Sequence, residues 1–176
     1  MDQWNQDELS RWKASLLKGF LREHFVKPMD LKRAEELSKV FRKRRKTECA
    51  LGIVTPTDTE LRQVAQCYLL SFGYHIRWSA ITSHELVRRA FESDSTLFEF
   101  INEPAVLLYH GFDSLSNSMT SGMVNQVITG RSFRDRPTLV LMKAKDPEIN
   151  VTQLSLSSVG KMPKQPGKPG SNPNLI

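Results

Sequence analysis

Residues 53–60 read Ile53-Val54-Thr55-Pro56-Thr57-Asp58-Thr59-Glu60, and the reading of the fold turns on them. A short apolar run leads in. Behind the turn, Leu61, Val64, Ala65, Tyr68, Leu69 and Phe72 recur at helical spacing, and Thr57 with Glu60 three residues on forms a capping-box pattern. Strand, tight turn and helix are the layout of a phosphate-binding loop. That chemistry needs glycines whose consecutive N–H groups wrap a phosphate, a lysine for its charge and a hydroxyl for magnesium. This turn has no lysine and no glycine, and it sets Asp58 and Glu60 where phosphate charge would sit. The expectation is a nucleotide-binding architecture that no longer binds nucleotide, with its function on its surfaces.

The rest of the chain alternates in the same way. Residues 48–54, 74–81, 105–110 and 137–143 read as strands, with a weaker fifth over 151–159. The near-continuous apolar run Ala105-Val106-Leu107-Leu108-Tyr109-His110 suits a parallel strand covered on both faces. Helices are expected over 57–72 with Gly73 as stop, from Ser83 through Leu86, Val87, Ala90 and Phe91, around Leu97, Phe98 and Ile101, and over 116–128 with Gly130 as stop. Strands alternating with helices over 48–143 imply a βαβ series.

Two further helices are expected ahead of the core. Leu9, Trp12, Leu16 and Phe20 share one face of the first; Leu31, Ala34, Leu37, Val40 and Phe41 share one face of the second. The chain thus divides into a helical arm over 1–46 with a basic end, an α/β core over 47–159, and a basic Pro/Gly-rich tail over 160–176 with too little apolar surface to order itself.

A length of 176 residues with 39% apolar content suits one domain with extensions. No stretch approaches the ~18–20 apolar residues of a membrane span, and the acidic start Met1–Glu8 is no signal peptide, so a cytoplasmic location is expected and no membrane partner. Cys49 and Cys67 lack metal-ligand spacing and read as thiols in a strand and a helix. His24, His75, His84 and His110 are scattered, so no metal site is assigned. The net charge of +6 is uneven: +5 over residues 1–50, −2 over 51–150 and +3 beyond. Basic ends on a nearly neutral core suit a polyanion.

Over 48–143 the chain resembles the AAA+ domains of bacterial replicative-helicase loaders and of the related transposition ATP-binding proteins. The resemblance is carried, in order, by the strand–turn–helix, by Gly73-Tyr74-His75-Ile76-Arg77-Trp78, by Ser83-His84-Glu85-Leu86-Val87-Arg88-Arg89, by Pro104-Ala105-Val106-Leu107-Leu108, and by Ile128-Thr129-Gly130-Arg131 with Arg136-Pro137-Thr138-Leu139-Val140. It implies a reduced P-loop/AAA+-like three-layer α/β core with a mainly parallel sheet, preceded by N-terminal helices, in which residues 48–54 lie beside 137–143. Each ATP-handling position departs from the family pattern. The two acids that would hold magnesium fall on Tyr109 and His110 or their neighbours, the sensor asparagine falls near Met142-Lys143, and no length remains beyond residue 150 for a helical lid. The chain is therefore expected to be no ATPase, with no catalytic, cofactor-binding or metal-binding residues and no cofactor.

The strongest positive signal is Lys39, Arg42, Lys43, Arg44, Arg45 and Lys46, six cations in eight residues with no acid among them. They are the candidate nucleic-acid-binding residues, since each phosphate neutralised releases counterions; the alternatives are a solvated helix end or a localisation signal. If the run contacts phosphates, replacing Arg44 and Arg45 should weaken DNA binding and leave the fold unaffected. Arg131, Arg134 and Arg136 form a second cluster, read as a loop before the fourth strand, and the resemblance permits an intersubunit interface there. The expected partners are nucleic acid and a protein: an ATPase, a helicase or a transposition component. Two alternatives stay open: an interaction subunit with no nucleic acid, and a weak NTPase with a displaced site using Asp113 or His110.

Overall fold

The computed structural model describes residues 31–55, 57–72, 76–110 and 118–156. The expected first helix, Gly73 as a helix stop, Asp113 and the tail over 160–176 lie outside them. Helix α1 (Leu31–Arg44) buries Ala34, Leu37 and Phe41 at helical spacing and ends in three cations, which suit the negative end of its dipole. There follow β1 (Ala50–Val54), α2 (Asp58–Leu70), β2 (Trp78–Thr82), α3 (Ser83–Phe91), α4 (Leu97–Asn102), β3 (Val106–His110), α5 (Ser118–Ser132), β4 (Thr138–Met142) and β5 (Thr152–Ser155).

Among the described residues the strands form one sheet in the order β2-β3-β4-β1-β5, and every pairing is parallel. Ala50 stands opposite Thr138 and Val54 opposite Met142, so the first strand lies beside the fourth, as the resemblance implies. Its other neighbour is β5, which separates this sheet from the doubly wound order in which the first strand adjoins the second.

Period-two alternation divides the strands between two cores. Leu51, Ile53, Val106, Leu108, Leu139 and Leu141 face α1 and α2, where Phe41, Leu61, Val64 and Tyr68 pack on them. Ile81, Leu107, Tyr109, Val140 and Met142 face the other way, onto Leu86, Ile101, Val124 and Ile128 of α3, α4 and α5. The result is a three-layer α/β fold. All five residues of β3 and of β4 are buried, as strands covered on both faces must be. Gly52 sits mid-strand because a Cβ there would lie 2.8 Å from Val151 Cγ2 and 3.0 Å from Met142 Cε.

Several expectations need correction. The second strand begins at Trp78 rather than residue 74. The helix expected to stop at Gly130 runs on to Ser132, so Arg131 belongs to its last turn and not to a loop. Phe91 and Phe98, in the helices expected there, are 70% and 62% exposed.

Candidate functional site

Two edges of the sheet hold the candidate residues. At the carboxyl edge, three residues separate β1 from α2. Thr57 is the N-cap, in extended backbone, and its hydroxyl accepts from the Glu60 N–H at 3.3 Å. The same hydroxyl donates to Glu60 Oε2 at 3.1 Å, and the Thr55 hydroxyl donates to that oxygen at 2.5 Å. The Thr55 N–H donates to the Met142 carbonyl at 3.0 Å, and Thr55 is buried. Proline has no N–H. With the Thr55 amide engaged, at most one amide of the turn remains for an anion. The positive end of the helix already faces a carboxylate, where a phosphate loop would present a glycine cradle and a lysine.

The neighbouring strand ends match that picture. Tyr109 is buried with its hydroxyl 2.6 Å from Ser83 Oγ, and burial raises its pKa above the ordinary phenol value. His110 is buried at the last position of β3, opposite Thr82 on one side and Leu141 on the other. Met142 closes β4 and Lys143 is exposed just beyond, in register next to Thr55. The strand ends where the resemblance would put acids and a sensor asparagine thus carry a tethered phenol, an imidazole and a thioether. Among the described residues no group of three His, Cys, Asp or Glu is placed to hold a metal ion.

The amino edge is cationic. The basic run ends α1 and leads to the start of β1. Lys39, Arg42, Lys43 and Lys46 are exposed. Arg44 and Arg45 are half-buried: Arg44 pairs with Glu48 at 3.0 Å, and the Arg45 guanidinium lies 4.2 Å over the Phe72 ring. Replacing these two would therefore disturb local packing, contrary to the expectation of an unaffected fold; Arg42 and Lys46 are the cleaner pair to test.

Arg131, Arg134 and Arg136 do not act as one cluster. Arg131 is 0% exposed. Its guanidinium donates to the carbonyls of Ile101, Pro104, Ala105 and Pro137 and to the Thr138 hydroxyl, joining the ends of α4 and α5 to the starts of β3 and β4. Burial, then the nearby Arg136, lowers its pKa to about 10. A side chain so enclosed reaches no neighbouring subunit, which corrects its assignment as an interface cation. Arg136 is half-buried and donates to the Asn102 and Glu103 carbonyls. Arg134 is exposed, 5.6 Å over the Phe98 ring.

Two features escape sequence reasoning. Arg89 is buried at the end of α3, donating to Asp94 at 2.6 Å and to Thr96 at 3.0 Å, and lies 4.5 Å over Phe100. Hydrogen bonds from the Thr96 side chain and amide, then from Arg89, hold the Asp94 pKa down at about 2. Phe98 lines a 490 Å³ groove between α3, α4 and α5, and Phe91 and the 86% exposed Phe133 add apolar surface elsewhere.

The strand order, the parallel pairing and the helices on both faces make a three-layer α/β architecture. Structural comparison finds it in a DNA replication initiation factor, whose crystal structure matches with a TM-score of 0.50 at 12% identity, over 76% of this chain and 48% of that one. Two structures of the replication initiator DnaA fall lower, both at 0.48. One, bound to AMPPCP and single-stranded DNA, is 12% identical over 74% of this chain and 47% of that one. The other, AMPPCP-bound DnaA from Aquifex aeolicus, is 8% identical over 76% and 51%. The chain spans about half the length of the structures it matches, and the likeness is one of fold. No family model matches the sequence, and no curated protein matches it. Among the described residues no helix is long and apolar enough to cross a membrane.

Proposed function

We propose that this chain is a non-catalytic AAA+-like accessory protein that binds DNA, with a protein partner, in replication, transposition or another mobile-element process. The observation that carries the reading is the strand–helix turn, where three residues are closed by the chain's own Glu60 carboxylate. A triphosphate brought to that turn would meet the Glu60 carboxylate, with the Thr55 amide and the Glu60 N–H already engaged and no lysine to offset the charge. The tethered Tyr109 supports the same reading, because a phenol locked to Ser83 neither binds magnesium nor orients water. Replication as the setting is supported by the fold shared with a DNA replication initiation factor, and the helicase-loader or transposition role by the sequence resemblance. DNA binding rests on the exposed cations of the α1 end. The partner is an ATPase, a helicase or a transposition component.

Melting the protein with ATP or ADP and magnesium tests the nucleotide half. A ligand at 100 times its Kd would add about 2.7 kcal/mol, so millimolar nucleotide should leave the melt unchanged. A magnesium-dependent upward shift would sink the non-catalytic reading and favour a displaced NTPase site. A second reading, an interaction subunit with no nucleic acid, is favoured by the exposed Phe91, Phe98 and Phe133. Salt separates the two: DNA binding weakens steeply with ionic strength, and apolar docking survives it.

A further inference from the structure

The amino edge brings together cations from segments far apart in the chain. The Arg77 carbonyl accepts from Val106 N, the Pro137 carbonyl from Leu107 N, and the Cys49 carbonyl from Thr138 N, at 3.0–3.1 Å. These three bonds lace the starts of β2, β3, β4 and β1 side by side. Each start but that of β3 carries arginine: Arg77 before β2, Arg134 and Arg136 before β4, and the basic run before β1. An open groove of about 610 Å³ lies there, lined by the apolar Phe72, Ile76 and Pro137, by Arg77, Arg134 and Arg136, and by the acids Glu103 and Asp135. Arg45, stacked over Phe72, joins the groove to the run.

We infer that this groove takes a single strand of nucleic acid, its phosphates tracking from the Arg42–Lys46 run to Arg77. The inference rests on the DNA-binding reading and assigns it a path. The chemistry favours a single strand because the apolar part of the lining includes an aromatic ring, which suits unstacked bases, whereas a duplex keeps its bases inside. From β1 to β2 is three strand spacings, or about 14 Å, enough for a short single-strand site. The acids of the edge do not cancel it. Glu48 is paired with Arg44, and Glu103 meets Arg77 in an exposed pair at 3.3 Å, a weak contact that a phosphate replaces. Asp135 stands between Arg134 and Arg136.

The test is fluorescence anisotropy of a labelled 12-nucleotide oligo-dT against the full chain, over a salt series. Arg77→Glu with Arg134→Glu alters the groove, Arg42→Glu with Lys46→Glu alters the run, and Arg77→Lys with Arg134→Lys keeps the charge. Each charge reversal should weaken binding about tenfold or more and lower the salt slope by about 1.4, at ~0.7 per single-strand phosphate contact. The lysine variant should bind nearly as the parent. Should charge reversal lower the melting temperature, Arg77→Gln with Arg134→Gln asks the same question with less perturbation. A groove variant that binds as the parent while the run variant is weakened overturns the groove and leaves the DNA reading standing. A parent that binds no DNA overturns both, and a 12-base-pair duplex bound more tightly than oligo-dT overturns the single-strand assignment.

Discussion

The two edges of one parallel sheet have opposite chemistry. At the carboxyl edge, where open α/β sheets ordinarily bind ligands, Glu60 takes the hydroxyls of Thr55 and Thr57, and Tyr109 is bonded to Ser83. At the amino edge, arginines from three segments stand over the strand starts, and only the innermost, Arg131, is fully satisfied by the fold. The turn at the first edge is closed by local contacts, a cap and a neighbouring hydroxyl, while Ser83 and Tyr109 meet there from 26 positions apart. Building the second requires the tertiary fold to bring distant residues into line. One edge of a parallel α/β sheet can therefore be closed by its own side chains while the other offers a rigid frame for cations.

The largest effect should come from Arg131→Met. Each buried carbonyl left without a donor costs about 1–3 kcal/mol, and several lose theirs together, so a loss of ~3–5 kcal/mol in denaturant unfolding is expected. Arg134→Ala, three positions on, should change stability by less than ~0.5 kcal/mol. Equal effects at the two positions would erase the distinction between buried clamp and exposed rim. Leu107→Ala, midway between the edges in a strand packed on both faces, should cost ~2–5 kcal/mol. Thr57→Ala removes the N-cap of α2 and should cost about 1 kcal/mol. Smallest is a pH effect. Asp94 has its folded pKa held at about 2, below its unfolded value, so its contribution is complete above about pH 4 and is lost as pH falls towards 2. Asp94→Asn should flatten the stability profile across that window; an unchanged profile would show that the Arg89–Asp94–Thr96 contacts do not hold in solution.

Much of this was legible in the sequence, for physical reasons. The near-continuous apolar run at 105–110 signalled a strand buried on both faces, and Thr57 with Glu60 signalled the start of α2. Arg131 misled, because Gly130 reads locally as a helix stop; the carbonyls to which its guanidinium donates belong to Ile101, Pro104 and Ala105, about 30 positions away. For the same reason the stacking of Arg45 on Phe72 and the groove beside Arg77 carry no local signature. The exposure of Phe91, Phe98 and Phe133 was hidden too, since periodicity marks an apolar face without saying whether anything covers it.

The most direct test of a ligand surface moved from one edge of the sheet to the other is a pair of NMR titrations on the same labelled protein, one with magnesium-ATP and one with single-stranded DNA. The predicted result is no perturbation at Thr55, Thr57, Glu60 or Lys143 with nucleotide, and with DNA shifts concentrated at Arg42, Lys46, Arg77 and Arg134. Saturable nucleotide shifts at the turn, with DNA shifts absent from the amino edge, would contradict it.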